Sequence, residues 1–367
     1  MSDFVSVPLR RSLVVGITFF ALVMSLGQAL AGDSGSSNDN GTITGVVNAN
    51  APTINVADIR NTGNTTVTGT QLDVLSNYRF YLDVTESNGW ASLRNVYVQL
   101  WFDLGTDTTT FATATAANNY RINVTYDNSA AQSSPTAGQW SVKAGNVALG
   151  AVVMNEIVAS QEYAFQITFQ LDAQIHQAQL PSAARNGGYS NAYSWNGQFT
   201  ARDANGNLVT RQSDATSGDY YEFGVFQHTS VTLGGQNWAA GGVAPGASSQ
   251  TGTVTVTHTS NANYKLHVYA NGNLVSGTNT IAIGNVLALA AADLSDDLSS
   301  NTAFPGTGSG NPIYLMGSGA TFHAFAPNTN STATVVQFQI NVPLGTPVGT
   351  YTATLVMTVQ QQAPPTP

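Results

Sequence analysis

Apolar residues return at every second position through most of this chain. Tyr78, Phe80, Leu82 and Val84 alternate with Arg79, Tyr81, Asp83 and Thr85. Val96, Val98, Leu100 and Phe102 keep the same rhythm, as do Tyr163, Phe165, Ile167, Phe169 and Leu171. Successive side chains of a strand point to opposite faces, so each run has one face for a core and one for water. A helix would scatter the same residues around its circumference. Turn residues separate the runs at Ser87-Asn88-Gly89, Asn205-Gly206 and Asn271-Gly272. With no α crossovers between them, the strands predict an all-β, antiparallel sandwich architecture. Two short stretches, Ala173 to Leu180 and Leu287 to Leu298, allow a couple of helical turns.

The end of the chain shows the same pattern twice. Val336, Phe338, Ile340 and Val342 alternate, Pro343-Leu344-Gly345-Thr346-Pro347 interrupts, and Tyr351, Ala353, Leu355, Met357 and Val359 resume. Two strands flanking a turn predict a closing hairpin over 335–359, with both prolines where a missing N–H costs no ladder bond.

Such strands need a polar outer face, and here it is nearly uncharged. Only 8% of the 367 residues are charged, against about 25% in an average soluble chain. Thr, Ser, Asn, Gln and Gly must cover the surface, a composition common among exported, wall-exposed β proteins. The net charge is −9 and the only lysines are Lys143 and Lys265. So few cations cannot assemble a stripe for phosphate backbones, which argues against a nucleic-acid partner. Cysteine is absent, which removes disulfides, thiolate catalysis, Cys-ligated metals and a lipid-modified cysteine.

The first residues carry an export signal. Arg10-Arg11 form a positive region, Leu13 to Leu26 an apolar one, and Ala29-Leu30-Ala31 a small-x-small cleavage site. Residues 1–31 are therefore a signal peptide, or an uncleaved anchor, since residues 12–31 match the roughly 20 needed to span a bilayer. Membrane association depends on that segment being retained. Behind it, residues 32–41 (GDSGSSNDNG) hold no apolar side chain and form a polar leader. The expected location is extracellular or at the cell surface.

The remaining organisation is two β domains, 42–228 and 229–360, followed by a Pro-rich tail at 361–367. The boundary follows the aromatic run DYYEFGVFQ, where the Gly/Pro-rich GGVAPG leads into a new set of strands. The second half, "GGVAPG…TGTVTVTHTSNANYKLHV…VQFQINVPLGTPVGTYTATLVMTV", resembles Ig-like sandwich domains of exported bacterial and archaeal surface proteins. The first half, "LSNYRFYLDVTESNGWASLRNVYVQLWFD", is similar to Ig-like domains of prokaryotic cell-surface proteins. The likeness covers about residues 53 to 360. It implies two Ig-like sandwiches behind the N-terminal helix, in a family of adhesins, wall proteins, filament subunits and accessory modules. The motifs are those of a fold and assign no chemistry.

Candidate sites are sparse. His176, His228, His258, His267 and His323 have no metal-ligand spacing, and they are expected as surface strand residues. His258 and His267 lie on neighbouring strands where they could face each other. Asp203, Asn205 and Asn207 put oxygen side chains at alternate positions, as a calcium loop does, yet Asn205-Gly206 is equally a hairpin turn. No cofactor other than calcium is suggested. Asp293, Asp296 and Asp297 form an acidic cluster that suits a solvated loop. Asp83 and Glu86 flank a turn as a conceivable acid/base pair. Tyr189, Tyr193 and Trp195 stand in the polar stretch NGGYSNAYSWNG, either stacking on sugar rings or entering the core. Asn40, Asn64, Asn123 and Asn330 begin N-x-S/T sequons.

No nucleophile–base constellation can be named, so an extracellular hydrolase is the least supported reading. The resemblance implies a non-enzymatic structural or adhesive surface protein, with self-association or other envelope proteins as partners, and the composition agrees with an exported location. A carbohydrate-binding protein with glycan partners is the alternative. Residues 42–48, TITGVVN, alternate weakly and precede Pro52, so they suit either the first strand of their own domain or a strand donated to a neighbouring subunit.

Overall fold

The computed structural model describes residues 50–105, 111, 116–179, 193–213, 219–235, 237–290, 298–325 and 332–364. The expected export signal, the leader and TITGVVN lie outside the described residues. Among the described residues every regular element is a β-strand or a three-residue 3-10 turn, and no helix is long and apolar enough to cross a membrane.

The first eleven strands are β1 (Thr53–Asn61), β2 (Gln71–Leu72), β3 (Asn77–Thr85), β4 (Leu93–Phe102), β5 (Arg121–Asp127), β6 (Trp140–Ala144), β7 (Val147–Val158), β8 (Glu162–Leu171), β9 (Trp195–Asp203), β10 (Leu208–Gln212) and β11 (Gly224–Val225). They form an antiparallel sheet of order β1-β3-β8-β7 and a second of order β10-β9-β4-β5-β6, with β2 and β11 as a short parallel pair. The inward members of each alternating run are the ones the periodicity picks out. Phe80, Leu82, Val98, Leu100, Phe165, Ile167 and Phe199 are fully buried in one cluster. Each such side chain contributes about 1.5–3 kcal/mol on leaving water.

One end of this core is closed by aromatics. Buried Trp90 stands edge-on to Tyr163 with ring centroids 4.7 Å apart. Its indole N–H donates to the Tyr126 hydroxyl at 2.8 Å, and that hydroxyl donates to Gln139 at 3.1 Å. Burial of the ring pushes the Tyr126 phenol up to about 12. Trp90 reaches the core because Asn88-Gly89 carries the chain from β3 in one sheet to β4 in the other, with Gly89 at φ 93°.

The second set comprises β12 (Thr229–Leu233), β13 (Ser248–Gln250), β14 (Val254–Ser260), β15 (Tyr264–Ala270), β16 (Leu274–Ser276), β17 (Asn279–Ile281), β18 (Val286–Ala288), β19 (Thr302–Ala303), β20 (Ile313–Met316), β21 (Thr332–Val336), β22 (Phe338–Asn341) and β23 (Leu355–Gln361). They pair as β12-β14-β21, β13-β22-β18-β19, β20-β15-β23 and β16-β17. Val256, Leu266, Val268, Leu315 and Phe338 are fully buried in a second cluster, distinct from the first.

Three expectations are corrected here. The closing hairpin does not exist: β22 and β23 lie in different sheets. Both edges of β22 are already taken, by β13 and β18, so no ladder position is left for β23. The proline-bounded segment instead crosses between sheets, and β23 pairs with β15 from Tyr264↔Gln361 to Ala270↔Leu355. Ala173 to Gln179 is turn and coil, pinned by Ala178 bridging to Val225. Leu287 and Ala288 belong to β18, while 291–297 fall outside the described residues.

The two cores meet along a seam rich in glutamine amides. Gln177 Nε2 and Gln227 Nε2 donate to the Gln362 carbonyl at 3.0 and 3.2 Å, and Gln179 Nε2 donates to that of Pro364 at 3.2 Å. From the other side Gln361 Nε2 donates to the His228 carbonyl at 2.9 Å and to Asn261 Oδ1 at 2.7 Å. Phe325 packs edge-on against Tyr120 and His176, with centroids 5.8 and 5.4 Å apart. The residues just after β23 are therefore strapped onto the first sandwich.

Candidate functional site

An antiparallel sandwich has edges, and each edge strand presents a row of unpaired backbone groups. Three edges of the first sandwich are blunted. β1 carries the Asp58–Arg60 ion pair (2.7 Å) and is bridged at Arg60 by Thr66. β6 and β10 are five residues each, with Lys143 on one and Arg211, paired to Asp219 at 3.2 Å, on the other.

β7 is different. Its twelve residues, VALGAVVMNEIV, contain no Lys, Arg or Pro, and among the described residues it pairs only with β8. Leu149, Val152 and Met154 pack against the core, while Val153, Ile157 and Val158 are 57%, 49% and 43% exposed. The one charge, Glu156, is folded back onto its own turn, where it accepts from the Ser160 backbone N–H at 2.7 Å and the Tyr163 hydroxyl at 2.8 Å. Those bonds hold its carboxyl below the ordinary range. Two register shifts, at Leu149/Val152 and Glu156/Val158, leave the stretch between them in continuous register with β8. The sequence does carry a signal for this surface. It is a twelve-residue β segment with a single charge, but only pairing order reveals that the segment lies on an edge.

The residues singled out from the sequence take other roles. Trp195 is fully buried on β9, stacked with Phe223 at 6.0 Å, and its indole N–H donates to the His176 carbonyl at 2.9 Å. A sugar cannot reach that ring: of the two placements the sequence allows, Trp195 takes the core. Tyr193 is half-buried against the same core, and Tyr189 lies outside the described residues.

Asp203, Asn205 and Asn207 do come together, in the β9–β10 hairpin. Asp203 Oδ1 accepts from the Asn205 and Asn207 backbone N–H groups at 2.9 and 2.8 Å, and Oδ2 accepts from Asn207 Nδ2 at 2.8 Å. The carboxylate is buried and engaged in ordering the turn. Among the described residues no group of three or more His, Asp or Glu side chains is arranged to hold a metal ion.

Asp83 and Glu86 do not face each other. Three residues apart at the end of a strand, they fall on opposite faces. Asp83 accepts from Asn55 at 3.3 Å on the solvent side, whereas Glu86 is fully buried and accepts from the Asn88 backbone N–H at 3.0 Å. Burial pushes both carboxyls above the ordinary carboxylate range.

His258 and His267 lie on strands of different sheets, so they do not face each other across a hairpin. His258 is not a surface residue: it is buried, with Nε2 2.8 Å from the Tyr264 hydroxyl, and burial lowers its pKa. Of the sequons, Asn64 is exposed with a left-handed φ of 68°, and Asn123 is half-buried on β5. Asn40, Asn330 and the acidic cluster Asp293, Asp296 and Asp297 lie outside the described residues. An open groove of about 950 Å³ lies beside Asn55, Gln198 and Thr210, and its charged groups are the Arg211–Asp219 pair already described.

No protein-family model matches the chain, and no curated protein does. Among solved structures it is similar to the C-terminal domain of the Streptococcus pyogenes antigen I/II-family protein AspA, at 12% identity over 85% of this chain and 96% of that one, with a TM-score of 0.22. It is also similar to the CsuC-CsuE chaperone-tip adhesion subunit pre-assembly complex from archaic chaperone-usher Csu pili of Acinetobacter baumannii, at 9% identity over 80% and 99%, with a TM-score of 0.28. A third is the C-terminal fragment of the major pilin GBS80 of Streptococcus agalactiae, at 8% identity over 85% and 92%, with a TM-score of 0.20. Superpositions this loose carry no argument about the role of this chain.

Proposed function

We propose that this is an exported, non-enzymatic structural or adhesive protein of the cell surface, a subunit that joins an envelope or filament assembly by strand pairing. The supporting observation is β7, a twelve-residue edge strand with one self-satisfied charge and three exposed apolar side chains. Such an edge attracts another strand through main-chain hydrogen bonds; of the usual blocks β7 has no lysine or proline, and its two bulges leave Val152 to Glu156 regular enough to pair. The export signal and the nearly uncharged polar surface fit a protein that works outside the cell. The seam between the two cores, closed by glutamine amides and by Phe325, fits a rigid building block.

The test has two parts. Immunogold electron microscopy of the host, with N-terminal sequencing of envelope and supernatant material, places the protein and checks for a mature chain starting at Gly32. Sedimentation across a concentration series then compares wild type with Val153→Lys. The expected result is surface labelling and self-association that the lysine weakens. A cytoplasmic protein, or one monomeric at every concentration, would sink the proposal.

A further inference from the structure

The β7 edge needs an occupant, and the chain itself contains a matching strand. We infer that residues 42–48 of a second copy add to β7 as a donated antiparallel strand, an assignment that rests on the strand-pairing role proposed above. Three observations support this.

The first is reach. β1 and β7 are the opposite edges of the β1-β3-β8-β7 sheet. A strand added outside β7 lies four strand spacings from β1, about 19 Å away. Asn48 precedes Thr53 by five residues, which span about 18 Å only when pulled straight. That linker is not straight and free, because the Asn50 carbonyl accepts from Asn88 Nδ2 at 3.2 Å. With Val47 set beside Val153, Asn48 would stand beside Val152, six residues along the sheet from Val158, the β7 residue in line with Thr53, so the donor is taken from another molecule.

The second is chemistry. Thr42 to Asn48 is uncharged, and β7 offers no exposed charge other than the folded-back Glu156, so neither side has an ion to desolvate on pairing. Ile43 and Val47 are spaced four apart, as are the exposed Val153 and Ile157. An antiparallel register that sets Val47 beside Val153 also sets Val46 beside the half-buried Met154, both within the regular stretch Val152 to Glu156, and brings Ile43 to the bulge at Ile157.

The third is geometry of assembly. The donor segment precedes β1 in the chain and the acceptor is the opposite edge of the same sheet, so each copy would give ahead of its β1 and receive at its β7. That interface is heterologous and propagates as an open chain unless the rotation closes it.

The chain has no cysteine, so the pairing can be trapped without background. Val47→Cys and Val153→Cys are made separately in the full-length chain, exported by its own signal, then mixed and oxidised. A covalent dimer only in the mixture is expected. In parallel, deletion of 42–48 should weaken self-association by about tenfold or more, the factor expected from losing as little as one or two net hydrogen bonds of the added strand, while keeping the β circular-dichroism signal and a cooperative melt. If the deletion fails to fold, the cysteine pair remains decisive. Wild-type association with no cross-link, or association unchanged by the deletion, overturns the donated strand and leaves the strand-pairing role standing. Closure of a disulfide within one chain carrying both cysteines, in place of multimers, also overturns it. A wild type that never associates overturns both.

Discussion

Trp195 discriminates most sharply between a sugar-binding surface and a packed core. Replacing it with alanine removes a fully buried ring stacked with Phe223 and tilted against Phe102 at 6.1 Å. A buried aromatic truncated to alanine costs about 3–5 kcal/mol, the lost transfer energy plus the cavity left behind. The change also orphans the His176 carbonyl, which now accepts from the indole at 2.9 Å. An unsatisfied buried acceptor adds about 1–3 kcal/mol, so the total is about 4–8 kcal/mol. At about 2–4 °C per kcal/mol for a domain of this size, the first transition should fall by at least about 8 °C. Trp195→Phe refills most of the space but not the hydrogen bond, and should land between wild type and alanine. Differential scanning calorimetry measures all three. A melt shifted by less than about 2 °C in Trp195→Ala would mean the ring is not in the core, and would return it to the surface as a ligand platform.

Other outcomes follow from the same structure. Chelation should leave the melting temperature unchanged, because both Asp203 oxygens serve the β9–β10 turn; a fall of more than about 10 °C with EDTA, equivalent to several kcal/mol, would reveal a structural ion there. Burial holds the His176 ring down at about 4, so the unfolded chain binds its proton first. Stability should therefore fall as pH drops from about 6.5 through about 4, by at most about 3 kcal/mol, and the loss should be smaller in His176→Gln; identical pH profiles for the two would refute this. Gly145→Ala should destabilise the chain by several kcal/mol or prevent folding, since its Cβ would stand 2.2 Å from the Arg121 carbonyl at φ 97°; an unchanged melt would contradict that packing.

Much of the interior was legible before any coordinates. Phe80, Leu82, Val98, Leu100, Phe165 and Ile167 are inward because period-two alternation is a local property that survives whichever strand lies alongside. Partner choice is not local. The pattern around Pro343 looks like a hairpin, yet β13 and β18 occupy both edges of β22 and β23 pairs with β15. The same holds at Asn88-Gly89, where the turn residues mark a reversal but not that it crosses between sheets. Candidate sites suffered for a related reason. Trp195 sits in a polar stretch and His258 in a Thr-rich one, and their neighbours in sequence say nothing about the Phe223 and Tyr264 rings that cover them. The sequence alone determined a nearly uncharged β chain and which face of each strand would be dry. Only the tertiary structure decided that β7 is an edge strand among the described residues. An edge is defined by the strand that fails to pair there, and that depends on contacts between residues far apart in the chain.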